Sequence, residues 1–205
     1  FWDEEQGGYI DSFASGKRNI TRHANIFALL FNLCDEERRK IIIEKVLENP
    51  NVPAISTPYF QFYQLDAMCH CGRHEEVTKI IRDYWGGMLK LNATSFWERY
   101  DSSLSGSEHY EMYGEPFGCS LCHAWGASPI YLFGRHYLGV VPLEAAYTHY
   151  RVQPNLGGLD WIEGVVPVPS GEISIYMDAN CVRVLSGIDG GTLCVEKNIT
   201  LEISR

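Results

Sequence analysis

The order in which helical patterns succeed one another constrains this chain most. Arg22–Cys34 (RHANIFALLFNLC) is apolar nearly all round, the pattern of a helix covered on every side. Asp35 then offers a helix N-cap, and the following EERRKIIIEKVLE gathers Ile42, Ile43, Val46 and Leu47 on one face opposite a charged one. The alternation repeats. Thr57 caps, Pro58 takes the first helical position, and YFQFYQLDAMCHC is again mostly apolar until Gly72 ends it. HEEVTKIIRDYWGGML then places Val77, Ile80, Ile81, Tyr84, Trp85 and Met88 at amphipathic helical spacing. A further apolar helix is expected from near Cys119 through AWGASPIYLFGRHYL.

Covered helices alternating with half-exposed ones suit concentric layers, as in an α/α toroid of helical hairpins. A linear helical solenoid is the rival, although no repeat of fixed period is visible. Residues 1–141 are too few to close a ring of six hairpins, so the toroid implies further helices upstream.

Beyond Pro142 the period changes. EGVVPVPSG, EISIYMD, CVRVLS, TLCVEK and ITLEIS are short, β-branched and bounded by turn residues at Gly171, Asp189-Gly190-Gly191 and Lys197-Asn198. Residues 142–205 therefore read as a small antiparallel β-sandwich. The fold class expected is mainly α with a β appendage.

A net charge of −9 argues against nucleic acid, which needs a basic footprint. No apolar run is long enough for a membrane span, and FWDEEQGGYIDS has neither the basic nor the apolar part of a signal peptide. Phe1 in place of methionine fits a chain that starts inside a longer protein. The seven cysteines are odd in number, and a chain of 205 residues needs no disulfide scaffold. Cys34, Cys69 and Cys122 lie in apolar runs and read as packed thiols, which leans towards a reducing, cytoplasmic compartment. The three N-x-T sequons, at Asn19, Asn92 and Asn198, are no more than chance supplies.

Four stretches hold candidate chemistry. Cys119–His123 satisfies the C-x-x-C-H spacing of c-type haem, and with Cys69, His70, Cys71 and His74 could supply zinc ligands. Against haem, this spacing arises readily by chance among seven cysteines and seven histidines; against zinc, Cys69 and Cys71 close a helix where residues two apart diverge. In SFWER, Glu98 follows Trp97, an arrangement that offers a sugar an apolar face and a carboxylate. Ser95-x-x-Glu98 equally matches a capping box, in which Glu98 only satisfies a backbone N–H. The Gly-rich loop Asp101–Gly118 carries Glu108, His109, Glu111 and Glu115, and loops of this length are often functional. Tyr59, Phe60, Phe62 and Tyr63 offer a sugar platform or simply core.

Taken in order, TPYFQFYQLDAM, WGGMLKLNATSFWERY, CHAWGASPIYLF and VPVPSGEISI resemble the bacterial α-L-rhamnosidases of glycoside hydrolase family 78. The opening WDEE and the RHANIFAL helix fit as well. The family's usual phrase is CHGWSASP, so Ala124 and Gly126 each exchange one small residue for another. The resemblance implies an (α/α)6 barrel with a C-terminal β domain, and inverting hydrolysis of terminal α-L-rhamnosides in a rhamnose-containing oligosaccharide or glycoside. It implies Glu98 as the general base that activates water, His123 as a ligand to sugar hydroxyls, and Trp97 and Trp125 as walls or supports of the pocket. It implies no cofactor and no metal. A base must be ionised, so Glu98 should lie in a hydrated or hydrogen-bonded place. Nothing in these residues corresponds to the family's acidic motif that supplies the general acid. The chain is therefore expected to be the C-terminal portion of the catalytic domain, and inactive alone.

Overall fold

The computed structural model describes residues 1–14, 16–195 and 200–204, the last segment by its backbone. The proposed turn at Lys197-Asn198 and the sequon at Asn198 lie outside the described residues. Two compact units emerge. The first comprises residues 1–72 and 82–128, the second residues 73–81 and 129–205. The division falls inside two helices.

The first unit opens with a two-stranded ribbon, β1 (Trp2–Asp3) and β2 (Gly8–Tyr9). Helix α1 (Arg22–Leu30) docks against it through Asn25, which is fully buried and satisfies both backbone groups of Tyr9, at 2.8 and 3.0 Å. Helix α2 (Glu36–Ile42) begins where Asp35 accepts the N–H of Arg38 at 2.8 Å, and a π turn over Ile43–Leu47 extends it. Its apolar face of Ile42, Ile43, Val46 and Leu47 is buried as the periodicity requires. Helix α3 (Pro58–His70) starts on Pro58 and stops before Gly72, whose φ of 75° suits a residue without Cβ. Helix α4 (His74–Lys90) buries Val77, Ile81, Tyr84, Trp85 and Met88.

Helices α1 and α3 differ from the expectation of burial on every side. Helix α3 buries Gln61, Gln64, Leu65, Ala67 and Met68, while Tyr59 is exposed and Phe60, Phe62 and Tyr63 are half-exposed. The two glutamines are tolerated inside because Gln61 donates to the carbonyl of Ile55 at 3.0 Å and Gln64 accepts from Arg22 at 3.3 Å. The aromatic side chains instead form a stripe with α1. Phe60 lies 4.2 Å from His23 and 5.5 Å from Phe27, and Phe27 lies 5.5 Å from Tyr63, all between ring centroids. Composition records only that such helices are apolar; which apolar residues are covered depends on their neighbours.

The second unit contains helix α5 from Pro129 onward and two sheets. Helix α5 (Ser128–Leu132) passes into a π turn over Phe133–Tyr137. One sheet runs in the order β3 (Val140–Pro142), β4 (Tyr150–Val152), β8 (Gly191–Leu193). The other runs in the order β5 (Trp161–Val168), β6 (Gly171–Asp178), β7 (Cys181–Ser186), β9 (Thr200–Ser204). Strands β5, β6 and β7 are antiparallel, with Ile175 opposite both Gly164 and Val184, whereas β9 joins β7 in parallel and β8 joins β4 in parallel. Ile173, Ile175 and Met177 alternate inward on β6, as EISIYMD predicts. Thr78 and Tyr137 stitch this unit together: the Thr78 hydroxyl lies 2.8 Å from that of Tyr137 and 2.6 Å from the carbonyl of Gly157.

Candidate active site

The helix expected from Cys119 does not form there. Its residues pair with another segment instead. Glu98 N–H donates to the carbonyl of Ser120 at 2.8 Å, and His123 N–H donates to that of Phe96 at 2.7 Å. A backbone held this way cannot make i to i−4 bonds, so α5 begins only at Ser128. Ser95 adds a side-chain bond from its hydroxyl to the carbonyl of Leu121. The segments Ser95–Glu98 and Ser120–His123 thus run side by side.

Small residues permit this approach. A Cβ on Gly126 would stand 2.8 Å from both the Phe96 Cβ and the Trp97 carbonyl, so an alanine there would force the two segments apart. The Gly126 carbonyl accepts the buried indole N–H of Trp85 at 2.7 Å, which anchors the turn to α4. Tyr84 secures the other end: its hydroxyl donates to the Ser56 carbonyl at 2.8 Å and accepts the Tyr100 N–H at 3.0 Å.

This arrangement also decides what Ser95 and Glu98 are. No helix starts at Ser95, so Glu98 is not a capping residue. The capping box is one motif later. Ser105 caps a 3-10 turn over Gly106–Tyr110 with Glu108 as its third residue, and the Ser105 N–H donates to the Glu108 carboxylate at 2.9 Å. That N–H, and then the Ser105 hydroxyl, hold the Glu108 carboxyl below its ordinary range. His109, offered by the sequence as a loop functional group, stacks parallel on Tyr100 with ring centroids 5.8 Å apart.

Glu98 is only 7% exposed, and both its carboxylate oxygens have donors. The Ser120 N–H reaches Oε2 at 3.1 Å and the Tyr113 hydroxyl reaches Oε1 at 3.3 Å. Desolvation, then the charge of Glu98 and this bond, push the Tyr113 phenol above its ordinary value, so it remains a donor. Both oxygens of the Glu98 carboxylate are therefore hydrogen-bonded.

The other sequence candidates separate by exposure. Trp97 is 3% exposed and meets Tyr110 edge-on at 5.8 Å, so its indole is closed to a ligand and supports the segment carrying Glu98. Trp125 is 37% exposed; its indole N–H donates to the Glu98 carbonyl at 3.3 Å. His123 lies 4.2 Å from the Trp125 ring, and Tyr59, itself 45% exposed, lies 5.3 Å away on the same indole. The backbone of Glu98, whose buried carboxylate has two donors, is thus tied through the Trp125 indole to a partly open surface of His123, Trp125 and Tyr59. Aromatic faces and a carboxylate together suit a polyhydroxylated ring.

The expectation that Cys122 is a packed thiol is corrected here. Cys122 is exposed, whereas Cys119 is buried, its thiol 3.9 Å from the carbonyls of Arg99 and Ser120. Pairing with Phe96–Glu98 turns Ser120 and Cys119 towards that segment and leaves Cys122 at the surface. The two thiols of the C-x-x-C spacing thus occupy different environments. Tyr113 and Tyr59 were not singled out by sequence as partners of Glu98 and Trp125. For Tyr113 the available signal was the Tyr-Gly pair at a turn; for Tyr59 there was none beyond aromaticity.

Comparison with known proteins decides the relationship. Residues 1–137 match the bacterial alpha-L-rhamnosidase six-hairpin glycosidase domain. The chain belongs to this family. Among solved structures it is similar to the GH78 family rhamnosidase of Bacillus sp. GL1, with 28% identity and a TM-score of 0.83 over 99% of this chain. It is also similar to a rhamnosidase from Klebsiella oxytoca with rhamnose bound, with 29% identity and a TM-score of 0.56 over 64% of this chain. The rhamnosidase-family chain spans 22% and 25% of the lengths of those two proteins. No curated protein sequence matches it. Among the described residues, no helix is long and apolar enough to cross a membrane.

Proposed function

We propose that this rhamnosidase-family chain carries the general-base half of an inverting α-L-rhamnosidase. One observation carries the reading: Glu98 is buried, ordered by donors on both oxygens, and tied through its backbone to the partly open His123–Trp125–Tyr59 surface. In this mechanism Glu98 removes a proton from the water that attacks the anomeric carbon. His123 binds sugar hydroxyls, Trp125 and Tyr59 form the wall beside the ring, and Trp97 backs Glu98 from the core. The rhamnose bound to the Klebsiella oxytoca relative supports a rhamnose-containing substrate.

In this reading residues 1–141 form the C-terminal half of an (α/α)6 barrel and residues 142–205 a β-sandwich beyond it. The general acid lies outside the chain, roughly 6.5–9.5 Å from Glu98 across the sugar as inverting enzymes require.

The test is stereochemical. Proton NMR of the first product that full-length protein releases from an aryl α-L-rhamnoside should show the β anomer, and the 205-residue chain alone should release none. An initial α anomer, or turnover by the chain alone, would overturn the assignment. Binding without hydrolysis by the full-length protein would favour a noncatalytic carbohydrate scaffold. Turnover only of other glycosides would favour a different six-hairpin glycosidase.

A further inference from the structure

The loop Asp101–Gly118 contains a turn whose chemistry is at odds with its sequence. Met112 and Glu115 exchange both backbone bonds, at 3.1 and 2.9 Å, which leaves Tyr113 and Gly114 as the central pair. Their φ values are 54° and 83°. Two positive values in a two-residue turn select glycine, asparagine or aspartate. Gly114 fits that rule and Tyr113 does not. A bulky residue in left-handed backbone is an outlier that needs a compensating reason.

Burial is not that reason, because Tyr113 is 79% exposed. Its phenol hydroxyl does have a specific destination, Oε1 of Glu98 at 3.3 Å. That spacing is longer than the usual O–H···O distance, as catalytic contacts often are before a substrate is bound.

The turn is also fixed at its base. Gly118 N–H donates to the Glu115 carbonyl at 3.2 Å and Cys119 N–H to that of Tyr110 at 3.0 Å. A Cβ at Gly118 would collide with the Met112 carbonyl, so the hairpin folds flat onto its own exit only because residue 118 is glycine. Ser120, which holds the other oxygen of Glu98, follows immediately. One short connection therefore delivers both donors to the carboxylate.

We propose that Tyr113 is a positioning residue: its hydroxyl and the Ser120 N–H clamp the two oxygens of Glu98 and set the plane of the carboxylate towards water. The backbone strain at Tyr113 places the phenol there. This inference rests on reading Glu98 as the general base.

The test uses full-length protein and an aryl α-L-rhamnoside, with four variants. Tyr113→Phe keeps the ring and the turn and removes the hydroxyl; kcat should fall about tenfold, as for loss of one bond to a charged group, with KM within about twofold. Tyr113→Gly relieves the left-handed strain, so Tm should hold or rise while kcat falls at least as far. Glu98→Gln alone should abolish most of kcat, and adding Tyr113→Phe to it should cause no further loss, since Tyr113 acts only through Glu98. Tyr113→Phe retaining kcat within about twofold, or repeating its full loss in the Glu98→Gln background, would overturn the positioning role while leaving the base reading intact. Glu98→Gln retaining kcat would overturn both.

Discussion

Glu98 accepts the backbone N–H of Ser120 at 3.1 Å and donates its own N–H to the carbonyl of the same residue at 2.8 Å. This reciprocal pairing joins the carboxylate and its supporting loop into one unit. Movement of Ser120 must therefore carry both the backbone and the side chain of Glu98 with it.

The first consequence concerns Glu98 itself. Glu98→Gln keeps the shape and one acceptor but cannot take a proton from water. Loss of kcat by about 10²–10⁴-fold, the usual contribution of a general base, is expected with a modest fall in Tm, because the new amide NH2 faces one of the two donors. Steady-state kinetics of the full-length protein beside thermal melts measure both. A loss of stability with kcat preserved would contradict the assignment.

Gly126 is a second point of leverage. Gly126→Ala places a methyl group against Phe96 and the Trp97 carbonyl, neither of which is the free end of a flexible side chain. Overpacking of this kind costs about 1–3 kcal/mol. Chemical denaturation should register it, and activity should fall too because the displaced segment carries Glu98. A variant as stable and as active as the parent would argue that the approach is not close.

Trp85→Phe probes the anchor from the other side. It retains most of the buried ring and deletes the indole bond to the Gly126 carbonyl. Leaving that buried acceptor unpaired costs about 1–3 kcal/mol, readable as a lower urea midpoint.

Thiol accessibility distinguishes the two cysteines of CSLCH. At pH 8 an alkylating reagent followed by mass spectrometry should label exposed Cys122 and Cys194 in the folded chain and spare Cys119 and Cys69. Burial pushes the Cys69 thiol up to about 12 and raises that of Cys119, which suppresses the reactive thiolate as well as access. In urea all four should react. Rapid native labelling of Cys119 would contradict its packing.

A pH dependence follows from Asp3. Its carboxylate accepts the Gln6 N–H at 3.0 Å and Arg18 Nε at 2.5 Å, and the first of these, then the second, holds its pKa well below the ordinary carboxylate range. The unfolded chain therefore takes up this proton first as pH falls. The stabilisation is complete above about pH 4 and is lost progressively below it. Asp3→Asn should lower the urea midpoint at pH 7 and flatten its decline between about pH 4 and pH 2. Parallel curves for parent and variant would remove Asp3 from the account.

Legibility in the sequence followed the range of the interactions. The Asp35 cap, the Pro58 start, the Gly72 stop, the buried stripe of α4 and the inward alternation of β6 are all properties of residues within a few positions of each other. Hydrogen bonds from i to i+4 and periodic burial leave their mark on a short window, so these features, and the order of family motifs, were determined by sequence alone. The identity of the capping serine was not. Ser95-x-x-Glu98 and Ser105-x-x-Glu108 have the same spacing, and they differ only because Ser95–Glu98 finds a partner segment more than twenty positions away. That distant pairing also decided where α5 begins, which cysteine of CSLCH is buried, and that Tyr113 reaches Glu98. A side chain's burial and its hydrogen-bond partner are set by what chain closure brings beside it, and only the tertiary structure decides that.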